Sequence, residues 1–292
     1  MTKFLIVGDL HGEMPKIRDN EFDAIIAPGD FCGDDIRPFI LRYMKKKNKD
    51  GYADFNKICT PKKQEELEEI SIQKGRKILE KLNSYNKPVF LVPGNWEPTL
   101  YQDGEKKREK DEERWTEIKK GLKNVYDVEY RMKSFKNFNI IGHGSTSAPE
   151  PLEILEIPEP LSELDEIKEM NKRVQFFINA KDNLINLITK SKKPVIFISH
   201  NIPYKTKLDK VNNPGTSAHK KHYGSTLARE IIEETNPLVC IGGHIHEGFG
   251  KDKIKETLCI NAGFGGDVNT ILEIDDKTYE IIKIEFIGEN KR

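Results

Sequence analysis

The chain has 292 residues, enough for one large α/β domain or two small ones. Lysine plus arginine equals aspartate plus glutamate at 48 each, and a formal net charge of zero argues against a general nucleic-acid binder, which is usually basic. Four cysteines form neither a CxxC pair nor a dense framework, which predicts reduced thiols and a cytoplasmic location. No apolar run approaches the length of a membrane-spanning helix.

Short apolar runs that stop at a small or polar residue recur along the chain and predict buried strands. In chain order they are 4–7, 24–27, 89–92, 139–141, 195–198 and 238–241. Between them the sequence predicts a helix that follows Thr60 as N-cap and has Pro61 in its first turn, and further helices over about 165–189 and 225–235. The tail reads as consecutive strands at 257–260, 270–274 and 279–286.

Alternating strands and helices followed by a β-rich tail predict an α/β fold, a layered sandwich with a mixed sheet. No linker is visible, so residues 1–292 are interpreted as a single domain. Two stretches, at about 45–59 and 101–120, look like insertions, and the mixed charges of the second predict a solvated helix. Four prolines and many acidic residues predict that 147–160 is an exposed, extended loop.

Residues with metal-ligand chemistry follow five of these strands. Asp9 and His11 come after the first strand, and in extended chain two residues that skip one position point the same way. The other strand ends carry Asp30, Asn95, His200 and the pair His244 and His246. Because open α/β sheets place their sites at the carboxyl ends of strands, we expect these seven side chains to meet.

Each of these residues also has an ordinary explanation, since Asp and Asn form turns and a lone histidine is more often structural. Taken together they form one set of oxygen and imidazole donors without thiolates, which suits Mn, Fe, Zn, Ni or Co. Two such ions roughly 3.5–4 Å apart can clamp a phosphoryl group during in-line displacement. The sequence therefore predicts two divalent transition-metal ions and a phosphoester substrate.

In order and spacing, the motifs resemble the calcineurin-like metallophosphoesterase superfamily. They are Gly8-Asp9-Leu10-His11-Gly12, Gly29-Asp30, Gly94-Asn95-Trp96-Glu97, Ser199-His200 and Gly243-His244-Ile245-His246. Residues 199–208, with Tyr223-Gly224-Ser225, are similar to the Icc-related branch of predicted phosphoesterases.

The resemblance implies a four-layer α-β-β-α sandwich with two mixed β-sheets. It also implies two ions with manganese favoured, one bound by Asp9, His11, Asp30 and His246, the other by Asp30, Asn95, His200 and His244. Asp30 would bridge them, and a metal-bridging hydroxide would attack phosphorus.

Trp96 departs from the superfamily pattern, which usually has a histidine at this position that helps to protonate the leaving group. An indole N–H donates a hydrogen bond but does not titrate, and loss of a general acid typically costs about 10²–10⁴ in rate. We therefore predict a phosphodiesterase, or hydrolysis of activated esters. Trp96 is a candidate for stacking on a nucleobase or aryl group, with simple packing as the alternative.

Two further residues are candidates for roles in catalysis and binding. His222 is a candidate proton donor beside the catalytic Asp30 and Asn95, and Asn201 a candidate substrate contact with Trp96. The expected partner is a small, nucleotide-like phosphoester, with no membrane partner and nucleic acid disfavoured. A nuclease of the same fold and a catalytically weak, metal-binding interaction module remain alternatives, and the oligomeric state is left open.

Overall fold

The structure is a computed structural model that describes residues 1–19, 21–155, 164–214 and 218–288. The strands are β1 (Thr2–Ile6), β2 (Ala24–Ala27), β3 (Val89–Leu91), β4 (Tyr101–Gln102), β5 (Glu105–Lys106), β6 (Val125–Asp127), β7 (Met132–Phe135), β8 (Phe138–His143), β9 (Val195–Asn201), β10 (Val239–Gly243), β11 (Gly250–Ile254), β12 (Thr257–Asn261), β13 (Asn269–Ile274) and β14 (Ile281–Ile287). The helices are α1 (Arg37–Asp50), α2 (Phe55–Ile58), α3 (Pro61–Asn83), α4 (Glu109–Lys119), α5 (Leu164–Thr189) and α6 (Thr226–Thr235).

Two six-stranded sheets dominate the fold. The first has the order β14-β13-β1-β2-β3-β6 and the second β11-β12-β10-β9-β8-β7. In the first sheet β1, β2, β3 and β6 are parallel, while β13 runs antiparallel to β1 and to β14. In the second, β8, β9, β10 and β12 are parallel, with antiparallel β7 and β11 at the edges. Both sheets are therefore mixed, as the sequence predicts.

Alternation along the strands separates three apolar cores. In β1, Phe4 and Ile6 face the core between the two sheets, whereas Leu5 faces the core beneath α3 and α4. In β9, Phe197 packs in a third core, which also contains residues of α5 and α6. Side chains two apart share a face of a strand, so each sheet is covered on both sides. The result is the predicted four-layer α-β-β-α sandwich.

Helix starts follow the local sequence. Thr60 caps α3 because its side chain accepts a hydrogen bond from the amide of Lys63 at 3.4 Å, and Pro61 occupies the first helical position. Ser225 caps α6 in the same way, accepting from the amide of Ala228 at 2.9 Å. Within the described residues, no helix is long and apolar enough to cross a bilayer.

The stretches interpreted as insertions are largely helical. Residues 45–59 contain the end of α1 and all of α2, neither of which has a buried residue. Residues 101–120 form the β4–β5 hairpin and α4, and the prediction of a solvated helix is wrong for one face of α4. There Trp115 and Ile118, three residues apart, are buried against the core that includes Leu79 of α3.

The prediction of an exposed loop over 147–160 is wrong for Glu150, which is buried. Its carboxylate lies 3.2 Å from Nε2 of buried His143 and accepts hydrogen bonds from the Ser225 hydroxyl and the Leu227 amide at the start of α6. Burial opposes ionisation, but His143 and the helix start hold the pKa of Glu150 below its ordinary value. Residues 156–160 lie outside the described residues.

Because of Glu129, two residues after β6, we expect the free energy of unfolding of this protein to depend measurably on pH. Burial, followed by the charge of Asp127, raises its pKa to about 8. Because the folded pKa exceeds the unfolded value, the stability that Glu129 contributes is fully present below about pH 4 and is lost as the pH rises towards 8. Glu129→Gln should therefore be more stable than the wild type at pH 8, by about 2 kcal/mol after allowance for partial exposure, and similar at pH 4.

Thermal unfolding monitored by circular dichroism at both pH values checks this expectation. Glu256→Gln is a suitable control because its side chain is 92% exposed. Identical pH profiles for Glu129→Gln and the wild type would contradict the assignment of a neutral carboxyl group.

Candidate metal centre

Four of the predicted ligands adopt left-handed backbone conformations just after their strands. The φ angles are 51° for Asp9, 45° for His11, 57° for Asp30 and 65° for His244. In residues other than glycine, such conformations are uncommon and cost of order 1–3 kcal/mol each. The contacts around these turns must hold the four residues in these conformations. The turns direct the four side chains towards a common region.

Two glycines allow these turns to approach each other closely. A Cβ atom at Gly94 would lie 2.1 Å from Oδ1 of Asp30, and one at Gly243 would lie 1.7 Å from Oδ2 of Asp9. Both distances are impossible for real atoms, so a side chain at either position would displace a predicted ligand. The glycines at positions 94 and 243 of the sequence motifs therefore have a direct steric reason.

The predicted ligands form two adjacent groups at the carboxyl ends of the parallel strands. In each group the ligand-type atoms lie within 4.8 Å of one another, and the groups are Asp9, His11 and His246, and Asp30, His200 and His244. Asn95 joins the second group, since its Oδ1 lies 3.0 Å from Nε2 of His200. The structure thus brings all seven predicted ligands together, from both sheets.

Asp30 lies between the two groups. Its Oδ1 accepts a hydrogen bond from the amide of Trp96 at 3.0 Å. Its Oδ2 is buried without a hydrogen-bond partner among the described residues, 3.5 Å from Nε2 of His11 and 3.6 Å from Nε2 of His200. One oxygen is therefore anchored, while the other faces an imidazole of each group.

Backbone carbonyl groups orient two of the imidazoles. Nδ1 of His200 lies 2.7 Å from the carbonyl oxygen of Pro28, and Nε2 of His244 lies 2.9 Å from that of Ser147. A carbonyl only accepts, so the proton of each ring sits on that nitrogen. The remaining nitrogens, Nε2 of His200 and Nδ1 of His244, are left with lone pairs for a metal ion.

Two of the histidines, His11 and His244, are held in the neutral form that metal binding requires. Burial, followed by the charge of His246, lowers the pKa of His11 to about 3. Burial, followed by the charge of His200, lowers the pKa of His244 to about 3. With these lowered pKa values, neither ring takes up a second proton at neutral pH, so one nitrogen of each ring keeps a lone pair for a cation.

The two central carboxylates are buried without a lysine or arginine partner among the described residues. Asp9 and Asp30 are at most 1% exposed, and their ion pairs are with histidines. Burial, then the charges of Glu97 and Asp9, raises the pKa of Asp30 well above its ordinary value. Burying unpaired carboxylates is costly. Together with the unpartnered Oδ2 atoms of Asp9 and Asp30, this shows that the residues fit bound divalent cations.

Glu97 holds two of the ligand-bearing turns together. Its Oε1 accepts from the amides of Phe31 and Cys32 at 2.8 and 2.9 Å, and its Oε2 accepts from those of Asp30 and Gly94 at 2.8 and 2.5 Å. The side chain is fully buried. The four hydrogen bonds tie the turn after β2 to the turn after β3, which carry Asp30 and Asn95.

A cavity of about 560 Å³ opens onto the two groups and is called the metal cavity here. Besides five of the predicted ligands, it is lined by Asp34, Arg37, Trp96, Asn213 and Glu247. The guanidinium of Arg37 lies 3.2 Å from the carboxylate of Asp34, which in turn lies 4.0 Å from Nδ1 of His11. Arg37 therefore places a positive charge beside the centre.

Sequence reasoning missed Arg37 and Asp34. Both follow Gly29-Asp30 within eight residues, and Arg37 begins α1. A signal was available, because an arginine in the first turn of a helix is opposed to the helix dipole and needs another reason to be there.

Two predicted site residues lie elsewhere. Nδ1 of His222 lies 2.7 Å from the buried carboxylate of Asp209, and the amide of fully buried Asn201 donates to the carbonyl oxygen of Tyr223 at 3.0 Å. Neither residue is among the described residues that line the metal cavity. The Asn201 contact joins β9 to the segment between β9 and α6, and the His222 contact lies within that segment. The geometry gives no support to roles in proton donation or substrate contact.

Comparison with known proteins decides the family. The sequence profile of calcineurin-like phosphoesterases matches residues 2–248. The chain belongs to this family. The family contains metal-dependent phosphoester hydrolases, and the match spans every predicted ligand of this calcineurin-like phosphoesterase. Its assignment to the Icc-related branch stays a prediction.

Individual relatives of this family member are distant. The uncharacterized protein MJ1162 of Methanocaldococcus jannaschii is 28% identical over 137 residues, 46% of this chain and 52% of that protein, so the chain matches about half the length of this curated relative. TT1561 of Thermus thermophilus is 15% identical with a TM-score of 0.54, and 98% of both chains is covered. A further crystal structure is 18% identical with a TM-score of 0.60 over 99% of both chains. These two structures support the fold alone.

Proposed function

We propose that this protein hydrolyses a phosphodiester, or a phosphoester with a good leaving group, using two divalent metal ions. The residues proposed to hold them are Asp9, His11, Asp30, Asn95, His200, His244 and His246. The observation that carries the proposal is Oδ2 of Asp30, an unpartnered buried oxygen within 3.6 Å of an imidazole nitrogen from each group. An oxygen in this position is suited to bridge two cations.

When bound, the two cations would polarise the phosphoryl group and activate water for attack. The chain itself contributes position and charge. Asp30 is held by hydrogen bonds to the Trp96 amide and to the Glu97 carboxylate. The imidazoles of His200 and His244 are held by backbone carbonyl groups, those of Pro28 and Ser147 respectively. Pre-oriented groups need not reorganise during the reaction, which is a large part of catalysis in such sites. The oxygen and imidazole donors suit Mn, Fe, Zn, Ni or Co, and of these we propose manganese, which the resemblance to the superfamily favours.

The direct test uses protein stripped of metal and reloaded with Mn²⁺. We expect hydrolysis of bis-p-nitrophenyl phosphate that is lost with a chelator and restored by Mn²⁺, and weaker hydrolysis of phenyl phosphate, whose leaving group is poor. Absence of hydrolysis of both bis-p-nitrophenyl phosphate and p-nitrophenyl phosphate by metal-loaded protein would refute the proposal.

Trp96→His should place a titratable imidazole at the position where the resemblance implies a general acid. The side chain lines the metal cavity beside His11, with the two ring centroids 6.3 Å apart. We expect kcat/KM for phenyl phosphate to rise at least about tenfold, at the low end of general-acid effects. The value for bis-p-nitrophenyl phosphate should change less, because its leaving group needs little protonation. Steady-state kinetics with both substrates measures the ratio.

Trp96→Phe is the matched control, since it removes the indole without supplying a titratable group. An equal gain in both variants would show that extra space, and not proton donation, is responsible. No gain with histidine would contradict the account of this position.

Arg37→Ala should weaken substrate binding more than it slows the chemical step. The guanidinium lines the metal cavity but is 51% exposed, so solvent screens its charge. We expect KM for bis-p-nitrophenyl phosphate to rise about fivefold, the effect of roughly 1 kcal/mol, with kcat within about twofold. Arg42→Ala, on the same helix, is the control. A fall in kcat with unchanged KM would argue against substrate contact by Arg37.

A further inference from the structure

A second cavity, of about 430 Å³, adjoins the metal cavity and is called the ring cavity here. The two cavities share Asn95 and Trp96, so the indole forms part of both walls. Trp96 also lines a third cavity of about 520 Å³. A group joined by one ester linkage to a phosphate in the metal cavity can therefore reach the ring cavity along the indole.

The ring cavity has apolar walls from three separate elements. Ile40 comes from α1, Ile72 from α3 and Trp96 from the turn after β3. Ile40 lies one helical turn beyond Arg37, so the same stretch of α1 presents a cation to the metal cavity and an aliphatic side chain to the ring cavity. All three walls remain partly exposed to the cavity.

The charges at the rim of the ring cavity are already paired. Arg108 forms ion pairs with Glu68 and with Asp111, the latter at 2.8 Å, and Glu68 is also paired with Arg114 at 2.6 Å. Burial acts against ionisation of Glu68, but the two arginines hold its pKa below the ordinary value. Lys107, which also lines this cavity, is paired with Glu105 at 3.0 Å. A charged ligand group would compete with these pairs, whereas a neutral apolar group would not.

We propose that the ring cavity binds the organic group of the substrate, and that this group is a planar aromatic ring, such as a nucleobase, stacked against Trp96. The inference rests on the proposed function, because it places the phosphate in the metal cavity. Small-molecule sites are typically lined by aromatic and aliphatic side chains and have volumes of about 300–1,000 Å³. A flat ring gains from stacking on an indole, while a bare sugar or a short alkyl chain has no π-face to offer.

Binding measurements test whether the ring cavity binds an aromatic ring, and they do not require that the protein hydrolyse the ligand. Isothermal titration calorimetry of the Mn²⁺-loaded protein would compare adenosine 5′-monophosphate, ribose 5-phosphate and inorganic phosphate. We expect the nucleotide to bind at least about tenfold more tightly than ribose 5-phosphate, since stacking on an aromatic side chain has effects of this size or larger. Trp96→Ala should remove that difference. Phenyl phosphate distinguishes an aryl ester from a nucleotide, and tight binding of either ring supports the proposal.

Tryptophan fluorescence locates the contact. The chain has two tryptophans, and Trp115 is 2% exposed with its indole N–H donating to Asp127. Quenching by the nucleotide should therefore persist in Trp115→Phe and disappear in Trp96→Phe. Ile72→Asn should weaken nucleotide binding severalfold, whereas Ile70→Asn, an exposed residue of the same helix, should not. Circular dichroism would verify that each variant is folded.

The possible outcomes separate this inference from the proposed function. Equal affinity for the nucleotide and ribose 5-phosphate, or a preference that survives Trp96→Ala, would overturn the ring assignment even if bis-p-nitrophenyl phosphate is hydrolysed. Nucleotide-dependent quenching of Trp96 in a protein without hydrolytic activity would instead support ring binding in the ring cavity and refute the proposed phosphoester hydrolysis. Quenching that persists in Trp96→Phe would place the ring elsewhere.

Discussion

Asp30→Asn should abolish turnover and remove at least one metal ion. Because Oδ1 of Asp30 accepts from the amide of Trp96, the asparagine oxygen is expected to keep that place, which puts the NH₂ group where Oδ2 faces the two imidazoles. An NH₂ group has no lone pair to offer a cation. We expect kcat to fall by at least about 10³, equivalent to about 4 kcal/mol of lost transition-state stabilisation.

Two measurements check the Asp30 variant. Elemental analysis of metal-loaded protein should give two ions for the wild type and one or fewer for Asp30→Asn, and steady-state kinetics should give the fall in kcat. Asp165→Asn is the matched control, since the Asp165 side chain is 98% exposed. Full metal content with normal turnover would exclude Asp30 as a bridge. If the protein were an interaction module, the substitution would leave partner binding intact and there would be no turnover to lose.

Glu97→Gln should destabilise the whole metal centre although Glu97 is not one of the predicted ligands. Each carboxylate oxygen accepts from two backbone amides. Whichever way the glutamine amide turns, its NH₂ group faces two buried N–H donors. Each unsatisfied buried group costs about 1–3 kcal/mol, so the expected loss of stability is about 2–6 kcal/mol. For a chain of this size Tm should fall by roughly 5–20 °C.

Metal affinity should fall with stability in this variant, by about 10–100-fold, as for other residues that position metal ligands. Thermal unfolding with and without Mn²⁺ gives both quantities. Glu66→Gln is the control, because its side chain is 56% exposed and its ion pair among the described residues is with Lys63. An unchanged Tm would mean that Glu97 does not hold the two turns. A lower Tm with unchanged metal affinity would mean that the ligands stay oriented without it.

Much of the fold could be predicted because it depends on neighbouring residues. The apolar runs of β1, β2, β3, β9 and β10 are largely buried and stop where the sequence introduces glycine, proline or a polar residue. The edge strands β7 and β11 were not predicted, because each carries polar side chains and lacks an apolar run. The buried face of α4 was also missed, since its charged residues outnumber the apolar ones.

Residue types and their spacing are enough to identify the candidate ligands and to show that they follow strand ends. Ligand chemistry belongs to single residues, and the spacing of Asp9 and His11, or of His244 and His246, is local. Which ligands share a group depends on the tertiary structure. Asp9 and His246 lie far apart in the chain and come together because of the order of the strands in the two sheets. The tertiary structure also decided which nitrogen of His200 faces the centre, through the carbonyl of Pro28.

The difference between residue type and tertiary contacts also explains why two candidate residues do not line the metal cavity. His222 and Asn201 were chosen for their residue type and their proximity in sequence to a ligand, but their side chains bind Asp209 and the Tyr223 carbonyl. Trp96 stands out in the sequence because of its place in a motif, whereas its position in the walls of two cavities depends on α1 and α3 packing beside it. Residue type is encoded locally, but what a side chain contacts depends on how distant segments pack.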